Sequence, residues 1–306
     1  MIKNIPDDKK FVIDENEWEL TFEDNFEFFD KTKWKVNTCM NKDDTSRNGI
    51  RHVAFYTDDD DIIFTKDNKL YIRTKWKNGK YGEGWYTGFI ETSKAVRDEY
   101  KLSDNYEGFS QKYGYFECRC KVAKALGIWS AFWMMPDNDI AFSKNDIQNT
   151  AEDGVEIDVM ESPHTYRFTN RAKNQNIHVL HADGYDERLK TVHSPSYYVP
   201  NMYDEFHTYA VMWDDEKYTF YMDGHKTWES QDVYKGKKLG VSKVNEYVIL
   251  STEVAGEIKD GVQHPGYTYD KDKNKWVKWW SGNPDKNDKS KNYDFIVDYV
   301  KCYRKK

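Results

Sequence analysis

Apolar and polar residues alternate along this chain in short runs, and turn residues break the runs. A period of two marks strands that bury one face and wet the other. Ten strands are predicted: Asp61–Phe64, Lys69–Trp76, Tyr113–Val122, Gly127–Met135, Val155–Ser162, Asn176–His181, Phe206–Trp213, Tyr218–Met222, Tyr247–Val254 and Phe295–Tyr303. In Tyr113–Val122 the logic is plain. Phe116, Cys118, Cys120 and Val122 make an apolar face, while Tyr113, Tyr115, Glu117, Arg119 and Lys121 make a polar one. Asp223-Gly224 reads as the turn that closes a hairpin after Tyr218–Met222. The helical period is weak, with a turn or two expected at Arg97–Asp104. Pro136–Asp153, Tyr185–Asp204 and Glu257–Asn292 read as long loops, a length that is commonly functional or disordered. No internal repeat or domain linker appears. The pattern predicts an all-β sandwich or barrel, with residues 1–306 as a single domain.

One strand breaks the rule in an informative way. Glu156-Ile157-Asp158-Val159-Met160-Glu161 puts three carboxylates into an otherwise apolar, β-prone run. Strand alternation sets Glu156 and Asp158 on one side and turns Glu161 to the other. A β-bulge between Asp158 and Glu161 would add one residue and bring all three to one face. Two Glu arms with a third acid between them suit a glycosidase that works through a covalent intermediate. The plainer alternative is the wet face of an amphipathic strand.

Composition narrows the partners. Aromatics make up 16% of the 306 residues, with 11 Trp and 23 Tyr. Aromatic rings stack on the apolar faces of sugars, and they also favour strands for packing reasons alone. The net charge is −7 and no basic stripe emerges, which argues against nucleic acid as a partner. An acidic surface also disfavours a strongly anionic polymer. Cys39, Cys118, Cys120 and Cys302 show no metal-type spacing and read as buried thiols. Cys118 and Cys120 fall about 6–7 Å apart on one face of a strand, which is poor disulfide geometry. No membrane span or export signal is visible at Met1–Pro6. The expectation is a monomeric, secreted or cell-surface protein whose export signal is absent from this chain, with a cytoplasmic protein as the alternative.

Further blocks join the acidic strand. Leu20-Thr21-Phe22-Glu23-Asp24-Asn25-Phe26 with Trp34 precedes Tyr113-Gly114-Tyr115-Phe116-Glu117-Cys118-Arg119. Then come Gly127-Ile128-Trp129-Ser130-Ala131-Phe132-Trp133-Met134, Phe206-His207-Thr208-Tyr209 with Trp213, Tyr221-Met222-Asp223-Gly224 and Val297-Asp298-Tyr299-Val300-Lys301-Cys302-Tyr303. In this order the blocks resemble glycoside hydrolase family 16, the laminarinase type with a bulged active-site strand. The resemblance runs from about Glu19 to Tyr303. Cys118, Cys302 and Ser130 depart from its usual pattern, and Val248–Glu253 lacks the glycine pair associated with laminarinases.

That resemblance implies a β-jelly roll of two antiparallel sheets with a concave substrate groove. It implies Glu156 as nucleophile, Glu161 as acid/base and Asp158 as the neighbour that tunes both, raising the pKa of Glu161 by like charge. Trp129 and Trp133 share a strand face and are candidate sugar platforms, against core packing. His181 is a candidate hydrogen-bond partner for the acid/base or a sugar hydroxyl, and His178 reads more as structural. Trp85, Tyr86 and Arg51 are loop candidates that the sequence does not place. Asp298 matches a structural calcium position in many relatives, whereas Asp58-Asp59-Asp60-Asp61 reads as an acidic loop tip. No cofactor is expected for catalysis. The expected activity is retaining endo-hydrolysis of β-1,3 or mixed β-1,3/1,4-glucan. An endo-β-galactosidase or β-galactanase, and a non-catalytic carbohydrate-binding jelly roll, are the alternatives.

Overall fold

The structure, a computed structural model, describes residues 2–38, 52–94, 102–138, 150–163, 174–185, 187–230, 233–279 and 281–306. Cys39, Arg51, most of the Arg97–Asp104 turn and most of the Pro136–Asp153 loop lie outside the described residues. All ten predicted strands are present. Tyr218–Met222 has its predicted bounds, and Lys69–Trp76 appears as Leu70–Gly79. Among the described residues no helix is long and apolar enough to cross a membrane.

The strands form two ten-stranded sheets and three small hairpins. One sheet carries the acidic strand. Five of its strands matter here: β1 (Phe89–Glu91), β2 (Ile128–Pro136), β3 (Glu156–Pro163), β4 (Gln175–Ala182) and β5 (Glu246–Val254). They lie in the order β4-β3-β2-β5-β1, each antiparallel to its neighbour. The second sheet centres on Gly114–Lys121, flanked by His207–Trp213 and Asn292–Lys305.

The two sheets bury a shared core. Phe116, Cys118, Cys120 and Val122 from the second sheet join Phe132, Met134, Ile157 and Leu180 from the first. Burying each large apolar side chain contributes about 1.5–3 kcal/mol, so this interlayer core outweighs any single surface contact. Cys118, Cys120 and Cys302 are buried free thiols, as their strand positions imply. Burial pushes the Cys118 and Cys302 thiols up, away from the reactive thiolate.

Three expectations need correction. Glu257–Asn292 is not one long loop. Gly256–Lys259 pairs with Val262–Pro265, Tyr267–Asp270 pairs with Lys275–Lys278, and a short 3-10 turn follows at Pro284–Lys286. The first hairpin turns at Asp260-Gly261, both with positive φ. Tyr185–Asp204 likewise holds short strands at Lys190–His193 and Ser196–Tyr198. Trp85 and Tyr86 lie on strand Gly82–Thr87 of the second sheet and are fully buried, so they pack rather than reach a groove.

Candidate active site

The bulge exists, and both neighbouring strands report it. On β4, Val179 faces Asp158 and Ile177 faces Glu161, so two residues span what takes three on β3. On β2, Trp133 faces Asp158 and Phe132 faces Met160, which leaves Val159 without a partner. Ile157, Val159 and Met160 all enter the core. The extra inward residue returns Glu161 to the face that carries Glu156 and Asp158. From β2 that face receives Trp129, Ala131 and Trp133, and from β5 it receives Tyr247, Ile249, Ser251 and Glu253.

Burial governs the electrostatics. It pushes the Glu156 carboxyl up to about 8 and the Glu161 carboxyl up to about 7, with like charge from Glu161 adding to the rise at Glu156. Asp158 is held well above the ordinary carboxylate range by burial first, then by Glu161, Glu156 and Glu253. The rise at Glu161 therefore comes from burial rather than from repulsion by Asp158. The neighbours of the acids differ. The Tyr185 hydroxyl donates to Glu156 Oε2. His181 Nε2 lies 3.5 Å from Asp158 Oδ2 and 4.0 Å from Glu156 Oε1. The Tyr185 donor favours an ionised Glu156, while burial holds the protons of both Glu156 and Glu161 above the ordinary carboxylate range.

Burial pushes His181 down to about 4, so its ring is neutral near pH 7. Its Nε2 faces the acids, and its Nδ1 lies 2.8 Å from Thr191 Oγ1. His181 thus meets Asp158 and Glu156 rather than Glu161. Glu156, Asp158 and His181 each offer one ligand atom within 4.8 Å of the others, a spacing that suits a cation as well. A cation there would compete with the protons that acid catalysis needs.

Trp129 and Trp133 both reach this face, but differently. Trp129 is only 7% exposed, and its ring meets the edge of His52. Trp133 is half-buried, donates from Nε1 to Ser251 Oγ at 3.0 Å and stands edge-on to Phe89. Trp133 therefore offers the larger open surface. Sequence reasoning passed over Glu253, His52 and Tyr185. Glu253 lies beside Trp129 in register and its carboxyl is 3.3 Å from His52 Nδ1. Alternation along Tyr247–Val254 holds a signal for Glu253. Tyr185 sits past the end of its strand, where no periodicity guides placement.

Asp298 is elsewhere, on the second sheet, and its partners are cations. Lys69 Nζ is 3.3 Å from one oxygen, and Arg119 pairs with the other. These two cations oppose the expected calcium at that carboxylate, because a divalent ion would have to displace them. Asp59 and Asp61 in the acidic run are also taken up, both by Lys77.

A two-sheet β sandwich with three buried carboxyls on one face of a bulged strand has the layout expected of a carbohydrate-cleaving jelly roll. The model of glycosyl hydrolases family 16 matches residues 88–271, and the chain belongs to that family. Relatives agree. The chain is 24% identical over 213 residues to a glucan endo-1,3-β-glucosidase A1 of Niallia circulans, covering 67% of this chain and 28% of that protein. It is 25% identical over 222 residues to a β-glucanase of Rhodothermus marinus, covering 67% of this chain and 63% of that protein. The chain thus spans less than two thirds of the length of these curated relatives. The fold matches the crystal structure of SCLam, a non-specific endo-β-1,3(4)-glucanase. The TM-score is 0.66 at 19% identity, over 99% of this chain and 97% of that one.

Proposed function

We propose that this protein is a retaining endo-β-glycosidase that cleaves β-1,3 or mixed β-1,3/1,4-glucan internally. The carrying observation is the bulge that sets Glu156, Asp158 and Glu161 on one face, with the Tyr185 hydroxyl donating to Glu156. Glu156 attacks the anomeric carbon while Glu161 gives its proton to the leaving glycosidic oxygen. A covalent glycosyl-enzyme results. Glu161, now ionised, takes a proton from water, which displaces Glu156 with a second inversion. Asp158 lies between the two acids and tunes them. The reaction needs two carboxyls and water, and no cofactor.

The burial of this acidic face supports a neutral polymer. Glu253 is a fourth buried carboxyl there, raised by burial and by Glu161 and Glu156. Its partner is the imidazole of His52, as His181 is the partner of Asp158. A sulfated or carboxylated chain would have to lose its hydration against a face of buried carboxyls. The names of the two glucanase relatives support the same class. The test is a panel of laminarin, lichenan, agarose, arabinogalactan, κ-carrageenan and mucin glycans with product sizing. Internal cuts in laminarin or lichenan are expected. Cleavage confined to a galactan or to mucin glycans would overturn the substrate, and no cleavage of any member would point to a binding module.

A further inference from the structure

A bulge frees backbone groups from the ladder, and buried groups without partners cost about 1–3 kcal/mol each. In β3 two backbone groups at the bulge have side-chain partners, and both partners come from the core side of β4. Asn176 Oδ1 accepts the backbone N–H of Glu161 at 3.1 Å. His178 Nδ1 lies 2.7 Å from the carbonyl oxygen of Val159, the bulged residue. A carbonyl only accepts, so Nδ1 carries the proton. Asn176 Nδ2 lies 3.5 Å from that nitrogen, which, being protonated, cannot accept from it.

The rest of the histidine is tied down as well. Nε2 lies 2.9 Å from Thr227 Oγ1, on the second sheet, and the ring stacks on Phe220 with centroids 4.6 Å apart. Its backbone N–H donates to Ser194 Oγ at 3.0 Å. Asn176 and His178 are fully buried, and burial pushes the imidazole down to about 3, so the ring stays neutral. His178 sits in register between Val179, which faces Asp158, and Ile177, which faces Glu161. It is therefore level with the one place where β3 departs from regular alternation.

We infer that Asn176 and His178 are positioning residues that hold the bulge of β3 and so set Glu161 over the site. They act through backbone and touch no substrate. The inference rests on the acid/base role proposed for Glu161. An unbulged strand would turn Glu161 to the core face, so whatever fixes the bulge fixes the acid.

The test uses Asn176→Ala, His178→Phe and the conservative His178→Gln, whose side-chain amide can still donate to the Val159 carbonyl, with Glu161→Ala as reference. Crystal structures of Asn176→Ala and His178→Phe should show Glu161 shifted relative to Glu156 by about 1 Å or more, a displacement that commonly costs on the order of 10²-fold in rate. On laminarin, kcat should fall by roughly that factor with KM little changed. On 2,4-dinitrophenyl β-laminaribioside, whose leaving group needs no proton, the glycosylation burst should stay within about fivefold of wild type. His178→Gln should recover most of the laminarin rate. A crystal structure with Glu161 unmoved overturns the inference, as does an equal loss on both substrates. Should His178→Phe not fold, Asn176→Ala decides alone, since it removes one acceptor and little volume. If Glu161→Ala itself keeps its laminarin rate, the acid/base assignment fails instead, and the crystal structures still judge the bulge.

Discussion

Glu156 carries the strongest demand placed on any side chain here, since it must ionise inside a buried cluster of acids. Glu156→Ala should remove nearly all turnover while leaving folding and oligosaccharide binding intact. Azide should restore activity to it and give the inverted glycosyl azide. Retention of a tenth of the wild-type rate would end the assignment. Asp158→Asn should slow the enzyme less than either Glu substitution and move the acidic limb of the pH–rate profile, because Asp158 tunes its neighbours. An unchanged profile with activity as low as that of Glu156→Ala would give Asp158 another role.

The same burial makes a stability prediction whose sign can be worked out. The folded state holds the Glu156 proton up to about 8, against an ordinary value of 4.5. Between these values the folded state binds more protons than the unfolded one, so stability falls as pH rises across that window. Glu156→Gln removes the titration. Its melting temperature should exceed that of wild type at pH 8.5 and match it near pH 4, with each kcal/mol relieved worth roughly 2–4 °C in a large domain. An equal shift at both values would mean that the carboxyl is not held protonated.

At the scale of the strand, the bulge decides the chemistry. Deleting Val159 leaves Met160 alone between Asp158 and Glu161, so simple alternation keeps Glu161 on the site face without a bulge. The deletion should therefore fold, less stably for the lost core packing of Val159, and keep measurable activity. Thermal melts and laminarin assays check both, and a folded deletion with no activity would contradict the alternation argument. The need for a bulge was legible in the three-acid spacing, since regular alternation cannot place five-apart residues on one face. What holds it was not. Asn176 and His178 read as one more alternating pair, and their backbone bonds depend on a register that the sequence does not display. Trp85 and Tyr86 show the converse limit. An aromatic pair beside glycines suggests a loop, yet cross-sheet packing drew it into a strand.

At the scale of the whole molecule, ten alternating runs sufficed to predict two sheets, because each buries one face. The inserted hairpins at Gly256–Lys278 escaped, since their strands are short and polar on both sides. The poorly solvated site face predicts discrimination among whole polymers. The rate on laminarin should exceed that on κ-carrageenan by a large factor with little dependence on salt, because a sulfate would lose its hydration against buried, proton-holding carboxyls. A ratio that collapses as salt rises would mean that these carboxyls are ionised and repel.

The central claim is that Glu156 and Glu161 share one face and work in sequence on the same anomeric carbon. Time-resolved proton NMR of a soluble laminari-oligosaccharide during cleavage tests it directly. Double displacement predicts the β-anomer as the first product, with the α-anomer appearing only at the rate of mutarotation. An α-anomer formed first would mean single displacement by water, and would contradict Glu156 as the nucleophile.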